Sequence, residues 1–136
     1  METKSLSEST ICCFGDSTTW GDNGCGAGGN DISWTSHLGA LLGGAVVENF
    51  GIKGSRIAIK ADRTDSFVER LDGIDDAADI YIVFGGVNDF SRNVPLGELG
   101  STDVHEFYGA LDYLIRTITA RSPQAKIVFM WPCKTS

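Results

Sequence analysis

The sequence predicts an α/β fold, a three-layer α/β/α sandwich in which helices cover both faces of a central parallel sheet. Short apolar runs alternate along the chain with segments of helical periodicity, which is the pattern of repeated strand and helix units. The runs are continuously apolar, as expected of parallel strands buried on both faces. A length of 136 residues suits one domain, so residues 1–136 are expected to form one unit with a polar tail over residues 1–8.

Four apolar runs place the predicted strands. They cover residues 10–14, 45–48, 80–84 and 126–131, and each is short enough to be a buried strand rather than a helix. In an open parallel sheet, ligands bind outside the carboxyl ends of the strands. The loops that follow the strands are therefore the places to search for chemistry.

Three helices are predicted between these strands. The first has an apolar face made by Trp34, Leu38, Leu41 and Leu42. A weaker helix is predicted over residues 66–71, and the third carries a clear apolar stripe over residues 104–118. Asp103 and Glu106 have the spacing of a capping box at the start of the third helix.

The charge balance limits the expected partners. A formal net charge of -7 disfavours nucleic acid and anionic membrane surfaces, because phosphate binding needs clustered Lys and Arg. A neutral small molecule suits this chain better. The polar opening stretch shows no signal peptide or membrane span, so a cytoplasmic location is the default expectation and secretion is left open.

Cysteine spacing argues against a metal or redox site. The four cysteines are Cys12, Cys13, Cys25 and Cys133, which form no C-x-x-C motif. We expect reduced, structural thiols. The sequence also contains no H-E-x-x-H, Walker or paired Cys and His motif, so neither a metal nor a cofactor is predicted.

Three loops after the first three predicted strands carry small polar residues. They are Gly15-Asp16-Ser17, Asn49-x-Gly51-x-x-Gly54 and Gly86-Val87-Asn88-Asp89. Taken singly, each is an ordinary turn or helix cap. Taken together they place a hydroxyl, glycine N–H groups and an amide at one edge of the sheet, which are groups suited to a nucleophile and an oxyanion hole.

In this order and spacing, the three loops resemble the first three sequence blocks of the SGNH (GDSL) hydrolases, a family of serine esterases and lipases. The resemblance covers most of the chain. It implies a flavodoxin-like arrangement of the sheet and hydrolysis of a carboxylic ester. The substrates that it implies are small-molecule or carbohydrate esters, with O-acetylated sugars among them.

The resemblance also implies roles for individual residues. Ser17 would attack the ester carbonyl, and the backbone N–H groups of Ser17 and Gly54 would form the oxyanion hole with the Asn88 side chain. The remaining motif residues would have structural roles near the site; these are Asp16, Gly51 and Asp89.

The base that such a serine needs is missing from the motifs. In this family the base is a His in a late D-x-x-H motif, and the resemblance places it, with the last strand and helix, beyond Ser136. His105 is the candidate to replace it, because the third helix begins on the same side of the sheet as the loops, but it is expected in the first turn of that helix, where the helix dipole disfavours an imidazolium. His37 is expected beside an apolar face. We therefore expect an incomplete domain that is weakly active or inactive alone and self-associates through its uncovered sheet edge.

Two other functions stay open. The segment 24–29 matches the letters G-x-G-x-x-G, with Glu48 as the acid of a dinucleotide site. However, these glycines begin ten residues after Phe14, whereas a dinucleotide fingerprint follows its strand directly. The other alternative is a non-catalytic carbohydrate- or ester-binding descendant that keeps the oxyanion geometry and has lost turnover.

Overall fold

The sheet has four parallel strands in the order β2-β1-β3-β4. In the computed structural model, which describes residues 3–132, the strands are Thr10–Gly15 (β1), Val46–Gly51 (β2), Ile80–Phe84 (β3) and Lys126–Met130 (β4). This order is the flavodoxin-like order as far as these four strands go. The predicted α/β class and central parallel sheet are confirmed.

Five α-helices connect or follow the strands in the described part of the chain. They are Ser17–Trp20 (α1), Thr35–Leu41 (α2), Phe67–Arg70 (α3), Val87–Ser91 (α4) and Phe107–Arg121 (α5). Single 3₁₀ turns cover Leu6–Glu8, Asn30–Ile32 and Leu71–Gly73. None of the helices within residues 3–132 is long and apolar enough to cross a membrane.

Helices pack on both faces of the sheet. On one face, α3 and α5 bury a large cluster around Phe14 and Val83, to which Phe67 and Leu114 belong. On the other face, α2 packs against a smaller cluster that contains Ile11. Full burial of side chains of this size contributes about 1.5–3 kcal/mol each, so the larger cluster dominates the stability. The three-layer arrangement is confirmed.

Strands β1, β2 and β4 differ from their predicted bounds; β1 ends one residue later, at Gly15, and β2 begins one residue later, at Val46. β2 continues to Gly51 rather than stopping at residue 48, because its last residues pair in register with the end of β1, as far as Gly15 opposite Gly51. β4 stops at Met130, and Trp131 lies after it. Pairing with a neighbouring strand determines where β2 and β4 end. The apolar run of a single strand does not show how far that pairing extends.

Leu41 was wrongly placed on the buried face of α2. Trp34, Leu38 and Leu42 pack against the sheet as predicted, but Leu41 is 80% exposed. The sheet contacts the side of the helix that carries Leu38 and Leu42. Leu41 lies at the margin of the apolar stripe and therefore faces solvent.

The start of α5 also corrects a prediction. The capping box of Asp103 and Glu106 does not form. Instead, the N–H groups of Phe107 and Tyr108 donate to the carbonyl oxygens of Pro95 and Leu96, at 2.9 and 3.1 Å. Carbonyl groups of a distant loop thus replace the side-chain cap that helix ends usually require.

The predicted polar tail is partly anchored. Lys4 forms an ion pair with Asp79 at 2.7 Å, and the 3₁₀ turn Leu6–Glu8 leads into β1. Met1 and Glu2 lie outside the described residues.

Strand β4 lies at one edge of the four-stranded sheet and has exposed apolar side chains. Val128 is 47% exposed on the sheet face opposite α5, and Trp131 just after the strand is 66% exposed. Unpaired edge strands with apolar side chains favour pairing with another chain. We therefore expect the 136-residue chain to self-associate through β4. Val128→Lys should weaken association about tenfold, because burying one valine contributes about 1.5 kcal/mol.

Light scattering over a range of concentrations would measure this association. Leu41→Lys is the matched control, since Leu41 is an exposed leucine on α2, away from β4. A monodisperse monomer at all concentrations would show that β4 does not mediate self-association.

Candidate active site

The first loop holds Ser17 at the start of α1. β1 ends at Gly15, and Asp16 caps the helix by accepting a hydrogen bond from the Thr18 N–H at 3.0 Å. Asp16 is only 4% exposed. Burial raises the pKa of this carboxyl above its usual range, although the bond from Thr18 opposes the rise. The capped turn fixes the position from which Ser17 projects.

Ser17 is partly buried at the start of α1. Its carbonyl oxygen accepts from the N–H groups of Gly21 and Asp22, both at 3.0 Å. Within residues 3–132, neither its N–H nor its hydroxyl is hydrogen-bonded. Both groups are therefore available to a ligand.

The second loop contacts the first through a glycine. A Cβ at Gly51 would lie 2.1 Å from the Trp20 nitrogen, so only glycine allows the end of β2 to approach α1 this closely. Gly54 then adopts a left-handed conformation, with φ of 77°. Its N–H has no acceptor in the described part of the chain.

Asn49 ties the same two loops together, a role that the sequence did not reveal. Its Nδ2 donates to the Thr19 carbonyl oxygen at 2.7 Å, and its Oδ1 accepts from the Gly51 N–H at 2.9 Å. In the sequence, Asn49 is only the first letter of the second loop motif. Its position directly after the predicted strand over residues 45–48 is the signal that could have suggested this bridging role.

The third loop is fastened to the second. Asn88 donates from Nδ2 to the Ser55 carbonyl oxygen at 3.0 Å, which leaves one of its two amide protons free. Asp89 accepts from the N–H groups of Ile57 and Ala58, at 2.9 and 3.0 Å. Asp89 is 2% exposed, and burial raises the pKa of its carboxyl while these two bonds lower it.

These contacts join all three loops at one edge of the sheet. The structure brings Ser17, Gly54 and Asn88 into one connected set, with Asp16, Gly51 and Asp89 as the residues that link or cap its parts. Among residues 3–132, the N–H groups of Ser17 and Gly54 and the second amide proton of Asn88 have no acceptor, so they are available to a ligand together with the Ser17 hydroxyl. This arrangement suits a reaction in which negative charge develops on an oxygen atom.

Neither histidine joins this set. His105 lies before α5, so its predicted place in the first helical turn is wrong. Its Nδ1 contacts Asp103 Oδ1 at 2.9 Å, so Asp103 orients His105 rather than capping the helix. No hydrogen bond connects His105 with Ser17 in residues 3–132, and His37 is exposed on α2.

Within residues 3–132, no disulfide bond joins any of the three cysteines described there. Cys12 and Cys13 are buried in β1, and Cys25 is exposed. Burial raises the pKa of Cys13 to about 12, so its thiol stays protonated, as a structural role requires. Cys133 lies outside the described residues. Within residues 3–132, no cluster of three or more His, Cys, Asp or Glu side chains is arranged to hold a metal.

The glycine-rich segment does not have the placement of a dinucleotide fingerprint. It follows α1 rather than a strand, and it closes on itself through the Gly29 N–H and the Gly21 carbonyl oxygen, 3.0 Å apart. The next α-helix begins only at Thr35. Glu48 lies within β2, and burial together with the neighbouring Asp75 raises the pKa of its carboxyl. The segment is a loop beside α1.

Asp16 leads to a prediction about pH and stability. Its folded pKa is raised, so the folded state keeps the proton over a pH range in which the unfolded state has released it. The contribution of Asp16 to the free energy of unfolding should therefore fall as the pH rises from the usual aspartate value towards the raised one. Asp16→Asn should remove this contribution and make the slope of stability against pH more positive, since asparagine does not titrate and still caps the helix.

Urea denaturation at several acidic pH values would measure this slope. Asp79→Asn is an informative control, because the Lys4 ammonium lowers the pKa of Asp79. The contribution of Asp79 to the free energy of unfolding therefore rises with pH, opposite in sign to that of Asp16. If Asp16→Asn left the slope unchanged, the buried carboxyl would not be the cause.

A sequence model of the GDSL-like lipase/acylhydrolase family matches residues 13–136. No curated protein matches the chain. A solved crystal structure is 95% identical and superposes with a TM-score of 0.95, over 97% of this chain and 60% of that one. The present chain thus spans less than two thirds of the length of that protein.

Two more distant structures show the same architecture. The chain is similar to a possible lipase from Chitinophaga pinensis, with 26% identity and a TM-score of 0.73, over 92% of this chain and 49% of that one. It is also similar to a carbohydrate acetylesterase family member from Sinorhizobium meliloti, with 23% identity and a TM-score of 0.70, over 94% of this chain and 66% of that one. The second likeness shows the fold alone. The match over residues 13–136 shows the family, and the chain belongs to the GDSL-like lipase/acylhydrolases.

Proposed function

We propose that this chain carries the nucleophile and the oxyanion hole of a serine-dependent carboxylic ester hydrolase. The observation that supports this most is the connection of three loops around free polar groups. The N–H groups of Ser17 and Gly54 have no partner within residues 3–132, and Asn88 keeps one amide proton free. Membership of the family over residues 13–136 points in the same direction.

The chemistry follows from these groups. Ser17 Oγ attacks the ester carbonyl carbon and passes its proton to a base, which gives that proton to the departing alcohol. The oxyanion of the tetrahedral intermediate accepts from the N–H groups of Ser17 and Gly54 and from Asn88 Nδ2. Water then attacks the acyl-serine by the reverse proton path, which releases the acid and restores Ser17.

The base is the part of this mechanism that residues 3–132 do not supply. Within residues 3–132 no hydrogen bond joins His105 to Ser17, and His37 is exposed on α2. We place the base in the portion of the longer protein that this chain does not span, since the chain covers 60% of its 95%-identical relative. The 136-residue chain alone should therefore turn over ester very slowly.

An O-acetyl group on a carbohydrate is the substrate class that we propose. The Sinorhizobium meliloti protein to which the chain is similar is described as a carbohydrate acetylesterase family member, and a net charge of -7 favours a neutral ester over an anionic one. A non-catalytic module that binds such esters is the second candidate, since it would need no base beside Ser17.

An activity assay on two forms of the chain separates these functions. One form is the 136-residue chain, and the other, the extended chain, is this sequence continued to the length of the 95%-identical protein. We expect the extended chain to hydrolyse p-nitrophenyl acetate and to release acetate from acetylated sugars. The 136-residue chain should be at least about 1,000-fold slower, because a missing base leaves mainly oxyanion stabilisation.

Covalent labelling identifies the nucleophile directly. A fluorophosphonate probe should modify the extended chain, and peptide mass spectrometry should place the label on Ser17. An extended chain that hydrolysed no ester and took no label, but bound acetylated sugars in calorimetry, would establish the binding module instead.

A further inference from the structure

Arg70, at the end of α3, lies beneath the first two site loops. Its Nη1 donates to the Phe50 carbonyl oxygen, and its Nη2 donates to the Gly15 carbonyl oxygen, both at 2.9 Å. Nη2 also donates to Ser55 Oγ at 3.0 Å. The guanidinium thus holds the carboxyl ends of β1 and β2 together and reaches the turn that carries Gly54.

The third loop is connected to the same guanidinium through Ser55. The Ser55 hydroxyl accepts from Arg70, while the Ser55 carbonyl oxygen accepts from Asn88 Nδ2 at 3.0 Å. Gly15 is two residues before Ser17. One planar group with N–H donors in a fixed fork therefore sets the spacing of three loops that are far apart in the sequence.

The position of Arg70 is further restricted by aromatic rings. The guanidinium carbon lies 4.7 Å from the centre of the Phe14 ring and 5.1 Å from that of Phe67. Nε donates to the Asp65 carbonyl oxygen at 3.0 Å. Stacking on two rings together with four hydrogen bonds leaves the side chain little freedom.

The charge of Arg70 is not neutralised by direct contact. Among the described residues no carboxylate forms an ion pair with it, and the carboxylate of Asp65 pairs with Arg63 instead. Burial lowers the pKa of Arg70 to about 10, so the guanidinium is still protonated at neutral pH. A cation behind the loops favours the development of negative charge in front of them.

We propose that Arg70 is a positioning residue of the esterase: its guanidinium holds the ends of β1 and β2, and Asn88 through Ser55, at the separation that the oxyanion hole requires. This inference rests on the proposed function. It differs from a purely structural role because the loops that it joins supply the donors and the nucleophile. Arg70 should therefore affect kcat more than KM.

The test compares Arg70→Met and Arg70→Lys in the extended chain. Arg70→Met should lower kcat for p-nitrophenyl acetate about 10- to 100-fold with little change in KM, since small displacements of catalytic groups cost up to about 100-fold. The rate of fluorophosphonate labelling of Ser17 should fall in parallel. Arg70→Lys keeps the charge without the fork and should recover only part of kcat.

Arg121→Met is the matched control. Arg121 also joins two elements, because it donates to the Leu71 carbonyl oxygen at 3.1 Å and pairs with Asp72, but it contacts none of the three loops. It should change the stability without changing kcat. If Arg70→Met fails to fold, Ser55→Ala removes the hydroxyl that accepts from Arg70 and should give a smaller loss of kcat in a folded protein.

The outcomes separate the two proposals. Suppose that the wild-type extended chain is active and that folded Arg70→Met, or Ser55→Ala in its place, has the same kcat as the wild type. That result would overturn the positioning role and leave the proposed function intact. A wild-type extended chain with neither ester hydrolysis nor labelling of Ser17 would overturn the proposed function and this inference with it.

Discussion

Ser17→Ala is expected to lower kcat/KM of the extended chain for p-nitrophenyl acetate about 10,000-fold or more. Without the hydroxyl no acyl-enzyme forms, and only binding and oxyanion stabilisation remain to assist attack by water. The Ser17 hydroxyl makes no hydrogen bond within residues 3–132. The free energy of unfolding should therefore change by no more than about 0.5 kcal/mol.

Steady-state kinetics and urea denaturation of the same preparations would check both parts. Ser36→Ala is the matched control, because Ser36 is exposed on α2 and donates only to carbonyl oxygens of the preceding turn. It should keep its activity. Full activity in Ser17→Ala, with the fluorophosphonate label on another residue, would show that the nucleophile is elsewhere.

Asn88→Ala is expected to have the second largest effect, a loss of about 100- to 1,000-fold in kcat. The substitution removes an amide proton from the proposed oxyanion hole, and loss of one such donor typically has this effect. KM should change little, since the donor acts mainly on the charge that develops in the transition state. Asn88→Asp should be at least as damaging, because a carboxylate offers no donor and repels an oxyanion.

The contact of Asn88 with Ser55 needs a separate readout. Loss of this hydrogen bond at 3.0 Å should lower the free energy of unfolding by about 1 kcal/mol, which denaturation would measure. Ser91→Ala, on the same helix and exposed, should preserve kcat. If Asn88→Ala kept its kcat and lost only stability, Asn88 would be a loop anchor and not an oxyanion donor.

The strands were predictable because parallel strands covered on both faces must be apolar along their length. The run over residues 80–84 coincides with β3, and the run over residues 10–14 falls one residue short of the end of β1. The stripe of α5 was equally visible. Its start was not, because the carbonyl oxygens of Pro95 and Leu96 replace the cap, and no local pattern in α5 reveals them.

The site was predictable only in part. Ser17, Gly54 and Asn88 were found from motifs after strands, and their catalytic roles stay predictions. Arg70 gave no signal, since an arginine in a short helix usually lies in solvent. Its partners Gly15 and Ser55 are 55 and 15 residues away along the chain, beyond the reach of any local pattern.

The sequence by itself determined the α/β class, the strands and the three loops that meet at one edge, because burial and turn chemistry leave local signals. Only the tertiary structure decided which polar groups stay free there. The N–H groups of Ser17 and Gly54 have no partner in the described chain, whereas Asp89 and Arg70 occupy the backbone groups around them. Hydrogen bonds between residues distant in sequence decide which of these polar groups are occupied and which stay free. The partners in those bonds are known only once the chain is folded.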